Sequence, residues 1–190
     1  MPFHTSRWSL SAPLTAPERV IVLSLGSNIA PREEHILAGV ARLTQVPRFR
    51  LVAFSSLYES EPVGIPTKTH FINAVCVAAC DLPARELLAA CRGIERESGR
   101  VEPSASRDRT LDIDIILYGD EVIEERDLAV PHPRFRARRF VLMPLMEIGP
   151  GIAVPPSGRT IGEVFRDCGD RAWVRRVSGR IDPLNFLKTK

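Results

Sequence analysis

Long apolar runs are missing from this 190-residue chain: none approaches the ~20 residues that a membrane span needs, and the opening MPFHTSRWSLSAPLTAPER lacks the apolar core of a secretory signal. A cytoplasmic protein is the expectation. That opening has no acid before Glu18 and several Ser and Thr, the composition of some organelle transit peptides, but Arg7 is too little basic charge for one. A loose tail over residues 1–19 is expected instead. The four cysteines, Cys76, Cys80, Cys91 and Cys168, form no CxxC pair, so they read as buried free thiols and not as a zinc site. Neither GxxxxGK[ST] nor GxGxxG occurs, so a nucleotide would be held without a P-loop, a dinucleotide-binding fold or a kinase glycine loop. Internal repeats and linkers are also absent, and one domain over residues 20–190 is expected. A formal charge of +3 is too small to choose between an anionic ligand and a nucleic acid.

With 44% hydrophobic and 26% charged residues, the chain can bury a core of ordinary size. RVIVLSLGSN (19–28) reads as a buried strand running into a turn. A helix should follow, with Pro31 in its first turn, Glu33 and Glu34 at the positive end of its dipole, and Ile36, Leu37, Val40 and Leu43 on one face; it should end near Val46 and Pro47. RLVAFSSLYES (50–60) and HFINAVCVAAC (70–80) read as two strands joined by a long loop. A second helix over 82–99 carries Leu87, Leu88, Cys91 and Ile94 at helical spacing, with Gly99 as its cap. The order strand, helix, strand, strand, helix, strand is that of a ferredoxin-like α/β fold. Beyond it, residues 138–149 form a helical stripe containing Pro144, Thr160 and Glu163 have capping-box spacing, and AWVRRVSGRI closes as a strand or an arm.

The last core strand, RTLDIDIILYG (109–119), poses a chemical question. Alternation places Leu111, Ile113, Ile115 and Leu117 on one side and Asp112, Asp114, Ile116 and Tyr118 on the other. Two carboxylates on one face, with Cα atoms roughly 6.5–7 Å apart, repel unless a cation lies between them. A D-x-D is most often a solvated strand face. Here Arg107 and Arg109 precede it and Arg134, Arg136, Arg138 and Arg139 follow, so acids that can hold Mg²⁺ stand among cations that can hold phosphate. An RNA-binding sheet would show stacking aromatics and would not place acids where phosphates lie. A glycosyltransferase would need a nucleotide-sugar domain. Both readings stay open on residues alone.

Taken in order, LSLGSN (23–28), SSLYESEPVG (55–64), FINAV (71–75), IERESGR (94–100), RTLDIDIILYG and VPHPRFRARRFVLMPLMEI (130–148) resemble the 6-hydroxymethyl-7,8-dihydropterin pyrophosphokinases of folate biosynthesis. The resemblance implies a ferredoxin-like, three-layer α/β core with added C-terminal helices and a short strand pair. It further implies transfer of pyrophosphate from ATP to a reduced pterin, with AMP released, by a monomer that binds neither nucleic acid nor membrane. Asp112 and Asp114 match the family's ligands for two Mg²⁺ ions. Asn73 matches the pterin-reading asparagine, Phe71 and Phe140 the pocket aromatics, and Ser60 and Val63 the pterin loop. Glu95, Arg100, Arg109, Ile115, His132 and Arg138 match positions around ATP, with Arg109, His132 and Arg138 beside the metal pair in the catalytic set. The departures cluster before the aspartates: SASRDRTLD carries Arg107 and Asp108 in place of an aromatic-Gly-Pro, Glu102 stands where some members have an arginine, and Arg92 stands where glutamine is common.

Overall fold

The computed structural model describes residues 18–64, 67, 69–99, 108–177 and 183. Residues 1–17 of the tail expected over 1–19, and the segment 100–107 with Arg100, Glu102 and Arg107, lie outside them, while Arg19 already belongs to the first strand. Core elements follow the anticipated order: β1 (Arg19–Ser27), α1 (Arg32–Leu43), β2 (Phe49–Phe54), β3 (Tyr58–Ser60), β4 (Phe71–Cys80), α2 (Ala84–Glu97) and β5 (Asp112–Tyr118). After them come β6 (Ile123–Glu125), β7 (Leu128–Val130), α3 (Arg139–Ile148), β8 (Ala153–Val154), β9 (Arg159–Thr160), α4 (Ile161–Arg166) and β10 (Val174–Arg176). Strand order in the main sheet is β10-β3-β4-β1-β5, with β2 also on β4, and its pairings are antiparallel. Two short strand pairs, β6-β7 and β8-β9, stand where one was expected.

Three layers follow from side-chain alternation. On one face Ile21, Leu23 and Leu25 of β1 pack with Ile36, Val40 and Leu43 of α1 and with Leu87, Cys91 and Ile94 of α2. On the other, Val22, Val75 and Val77 meet Val141, Leu142 and Leu145 of α3 and Ile161 and Val164 of α4. Pro144 lies inside α3. Thr160 and Glu163 form the anticipated capping box at the start of α4. Helix α1 closes at Leu43, three residues earlier than its pattern suggested, and turn-type bonds carry the chain on through Val46. All four cysteines are free and buried, and burial pushes the Cys76 thiol up to about 12. No helix among the described residues is long and apolar enough to cross a membrane.

Two strand readings are corrected. Residues 50–60 are not one strand: the regular ladder is interrupted at Ser55–Leu57, where side-chain bonds join the remaining Ser55 N–H to Val75 carbonyl bond at 3.0 Å. The Ser55 hydroxyl accepts from the Val75 N–H at 3.0 Å, and the Ser56 N–H and hydroxyl both donate to the Glu147 carboxylate of α3 at 2.9 Å. In β5 the alternation holds only to Ile115. Val22 faces Leu117 and Leu23 faces Ile115, which leaves Ile116 as the extra residue of a β-bulge. Ile116 and Leu117 therefore both pack toward α3, and Tyr118 turns to the α1/α2 side, the reverse of strict alternation for Leu117 and Tyr118.

Candidate active site

Register across three strands builds the site. Gly26 of β1 lies between Asn73 of β4 and Asp112 of β5, and one step along, Ser24 lies between Val75 and Asp114. With strands ~4.8 Å apart, Asn73 and Asp112 are two rungs, about 10 Å, from one another on the same face. Small residues at the rungs between them leave a trough instead of a packed surface. The resulting cavity of about 590 Å³ is floored by Ser24 and Gly26. Ser60, Val63, Phe71, Asn73 and Phe140 line one end, and Arg109, Asp112, Asp114 and Arg138 the other.

At the amide end, Asn73 is 3% exposed and its Nδ2 donates to Ser60 Oγ at 3.0 Å, which orients the amide. Phe71 and Phe140 stand by as partly buried rings, and the Arg138 guanidinium lies over Phe140, 5.5 Å from its centroid. At the acid end each aspartate has a cation beside it. Arg109 Nε is 3.6 Å from Asp112 Oδ1, Arg138 Nη1 is 3.3 Å from Asp114 Oδ2, and His132 Nε2 is 3.8 Å from that same oxygen. Both aspartate side chains are 37% exposed, so these pairs are worth at most about 1 kcal/mol each and can be exchanged for a ligand.

The β-bulge positions the histidine. The Ile116 carbonyl accepts the His132 N–H at 2.9 Å, which docks the loop after β7 onto β5. The buried Phe135 pins the remainder of that loop into the α3 side of the core. His132 Nδ1 accepts from the Arg134 N–H at 3.2 Å, which assigns the ring proton to Nε2, facing Asp114. Burial, chiefly, lowers the His132 pKa against the opposing pull of Asp114, so the ring is a neutral donor at pH 7. Burial also lowers the Arg138 guanidinium from its ordinary value.

Two residues matched to ATP lie elsewhere. Glu95 of α2 is 5% exposed and accepts the Ile113 N–H at 2.7 Å, so it grips the edge strand from behind, between the two aspartates. The Ile115 side chain is in the α1/α2 core, on the far face of the sheet from the trough. Arg92, the departure from glutamine, is tied to Asp127 beyond β6 by a 3.1 Å ion pair.

Other contributors were not singled out from the sequence. Ser24 and Gly26 were legible in principle, because Val22, Ser24 and Gly26 alternate with Ile21, Leu23 and Leu25. Asn28, read as a plain turn residue, holds the entry to β5. It exchanges backbone and side-chain bonds with Arg109, and its Nδ2 donates to Asp108 Oδ1 at 2.6 Å. Asp108, one of the departures, also receives the Thr67 hydroxyl at 3.2 Å.

Two carboxylates opening into a trough are an all-oxygen donor set of the sort Mg²⁺ accepts when substrate oxygens complete its shell. Among the described residues no group of three or more His, Cys, Asp or Glu gathers to form a protein-only cage.

A family model described as 7,8-dihydro-6-hydroxymethylpterin-pyrophosphokinase matches residues 22–150. The chain is 38% identical over 148 residues to the 2-amino-4-hydroxy-6-hydroxymethyldihydropteridine pyrophosphokinase of Pseudomonas aeruginosa, covering 78% of this chain and 91% of that protein. To the protein of the same name in Haemophilus influenzae it is 35% identical over 153 residues, covering 80% and 95% respectively. Among solved structures, the wild-type Plasmodium falciparum HPPK-DHPS with SDX-DHP superposes with a TM-score of 0.63 at 15% identity, over 78% of this chain and 44% of that one. At that identity the superposition speaks for the fold.

Proposed function

The chain belongs to the 7,8-dihydro-6-hydroxymethylpterin-pyrophosphokinase family, and from that membership we propose that the trough between Asn73 and the Asp112–Asp114 pair is its reaction site. The protein is an enzyme of folate biosynthesis: it transfers pyrophosphate from ATP to the hydroxymethyl group of 6-hydroxymethyl-7,8-dihydropterin, giving the pterin diphosphate and AMP. The observation that carries the site assignment is the single row Asn73, Gly26, Asp112 across three strands, which separates a heterocycle-reading amide from a metal-competent acid pair by about two strand spacings.

In this reading the pterin lies over Gly26. The Asn73 amide both donates and accepts against the ring's mixed edge, Ser60 holds that amide in place, and Phe71 and Phe140 bound the flat faces, with Val63 closing the loop side. ATP lies at the acid end. Asp112 and Asp114 would hold two Mg²⁺ ions, which when bound neutralise phosphate charge and align the phosphates for in-line attack. Arg109 and Arg138, released from the aspartates, offer forked donors to the phosphate oxygens, and neutral His132 donates from Nε2. The pterin hydroxyl oxygen bonds to the β-phosphorus while the bond from that phosphorus to the bridging oxygen of the α-phosphate breaks. AMP departs with that oxygen, and the hydroxyl proton passes to solvent. A loose transition state of this kind requires no dedicated base. Glu95 and Ile115 act from behind the strand: Glu95 through the Ile113 N–H, and Ile115 through its backbone. Arg100, outside the described residues, keeps the phosphate role that the family resemblance implies for it. The catalytic unit is residues 20–190, working as a cytoplasmic monomer.

The test is incubation with Mg²⁺, ATP and the pterin, followed by resolution of the nucleotides. Pterin-dependent AMP without ADP is expected, and Asp112→Ala and Asp114→Ala should abolish it. Undiminished AMP formation by both variants would remove the acid pair from the mechanism.

A further inference from the structure

The family model ends at residue 150, yet the main sheet does not. Strand β10 adds to the free edge of β3, pairing Val174 with Ser60, Arg175 with Glu59 and Arg176 with Tyr58, and the Val177 N–H continues the ladder to the Leu57 carbonyl at 2.9 Å. Strand β3 leads directly into the loop whose first residues, Glu61, Val63 and Gly64, line the trough. Covering an edge strand would explain β10 alone. It does not explain where the side chains go.

Three contacts run from the arm to both ends of that loop. The Trp173 N–H donates to Glu61 Oε1 at 2.8 Å, at the loop's start. The Trp173 ring meets the His70 ring edge-on at 4.9 Å, at the loop's end. Beneath them Glu59, with a side chain only 9% exposed, receives Arg175 Nε at 3.0 Å and Arg175 Nη2 at 2.5 Å. Glu59 also receives Arg32 Nη1 at 3.1 Å, and the same Arg32 nitrogen donates to the His70 carbonyl at 2.8 Å. The arm, the start of α1 and both ends of the loop thus converge on one buried carboxylate. The Arg175 hydrogen bonds chiefly, then Arg32, hold its pKa below the usual carboxylate range in spite of burial.

We propose that Trp173, held against Glu61 and His70, and Arg175, locked on Glu59, are positioning residues that set the spacing of the two ends of the 61–70 loop and so tune affinity for the pterin and not for ATP. The pterin assignment rests on the functional reading above; the clamp itself rests on these contacts. Neither residue lines the trough, and the ATP end, with Asp112 and Asp114 on β5 and Arg109 just before it, lies across the sheet. Loosening the arm therefore acts on one substrate only.

The experiment compares Trp173→Ala, Arg175→Ala and Arg175→Lys with a control, Arg166→Ala on the exposed side of α4, by amide hydrogen exchange and by separate KM values for pterin and ATP. Exchange should rise about tenfold at 61–64 and 69–70 in Arg175→Ala and at 69–70 in Trp173→Ala, which loses the ring contact with His70 but keeps its N–H on Glu61, with the rest of the sheet unchanged. Pterin KM should rise roughly fivefold, ATP KM should stay within about twofold, and lysine at 175 should recover part of the loss because it restores one of two donors. Unchanged loop exchange would overturn the clamp, as would a uniform rise in exchange accompanied by equal losses for both substrates. The exchange measurement needs no turnover, so a wild-type protein that makes no AMP would refute the functional reading and leave the clamp to be judged on its own.

Discussion

Replacing Glu95 with alanine should cost this protein both stability and turnover, although the side chain faces away from the trough. Its carboxylate accepts the Ile113 N–H at 2.7 Å, and β5 is the last strand of the sheet among the described residues, so no described strand can take over that donor. Glu95 is 5% exposed and Ile113 equally so; water therefore reaches the orphaned N–H only if the strand edge opens. A buried donor left unsatisfied costs about 1–3 kcal/mol, and a bond to a charged acceptor lies toward the upper part of that range, so about 2–3 kcal/mol is expected. For a chain of this size that corresponds to a fall in Tm of roughly 4–12 °C. Ile113 sits between Asp112 and Asp114, so the same loosening should lower kcat while leaving pterin binding at Asn73 largely intact. Glu95→Gln keeps an acceptor oxygen at the same reach and should recover most of both losses. Thermal or urea denaturation with AMP formation as the activity readout decides the matter. Glu95→Ala as stable and active as wild type would show that the Ile113 bond carries nothing, and Glu95→Gln as damaged as Glu95→Ala would show that the charge matters and not the acceptor.

Three further outcomes follow from the same geometry. Asp114→Asn removes one charge from a part-exposed pair with Arg138, so stability should change by less than about 1 kcal/mol while AMP formation falls by about a thousandfold or more; a parallel loss of fold and activity would mark the pair as structural. Gly26→Ala places a Cβ 3.4 Å from Asn73 Oδ1 and 3.9 Å from Phe71 Cδ1, which the fold tolerates, but the methyl stands on the trough floor. Pterin KM should rise about tenfold with Tm nearly unchanged, and an unaffected KM would move the pterin away from Gly26. Glu147 has its pKa lowered: burial pushes it up, but the Ser56 N–H and hydroxyl and the Tyr58 hydroxyl outweigh that push, while burial and Glu147 itself raise Tyr58 to about 12, so it remains a donor. A depressed carboxylate contributes stability that is present above its unfolded value, near 4.3, and lost as pH falls through the folded one. Denaturation midpoints of Glu147→Gln should therefore decline less steeply below about pH 4.5 than those of the wild type, and parallel acid limbs would place the titration elsewhere.

Much of the site could be read in the chain because β-strands convert sequence spacing directly into facing. The i, i+2 relation alone puts Asp112 beside Asp114, whereas Ser60 and Phe71 were legible as site candidates only through the family resemblance. Alternation failed at Ile116, since a bulge is decided by how two strands register, and neither strand states that register in its own residues. That failure had a consequence for the site, because the carbonyl of Ile116 is what brings His132 within 3.8 Å of Asp114. Glu95 shows the complementary limit. A glutamate on the inner face of α2 signals that something binds it, and whether that partner is a phosphate-bearing ligand or the N–H of Ile113 depends on which strand packs against the helix.

What the sequence by itself determined, then, is which residues share a strand face or a helix stripe, and with that the ferredoxin-like order of elements and the acid pair between arginines. These are local relations, set by the two-residue and 3.6-residue repeats of the backbone. What only the tertiary structure decided is who stands opposite whom: Asn73 across Gly26 from Asp112, Glu147 under Ser56, Arg175 on Glu59. Those pairs join residues up to 116 positions apart along the chain, brought together by burial of apolar surface that many registers would satisfy almost equally. The choice among those registers falls to bulges, buried carboxylates and small residues whose partners are known only once the chain has folded.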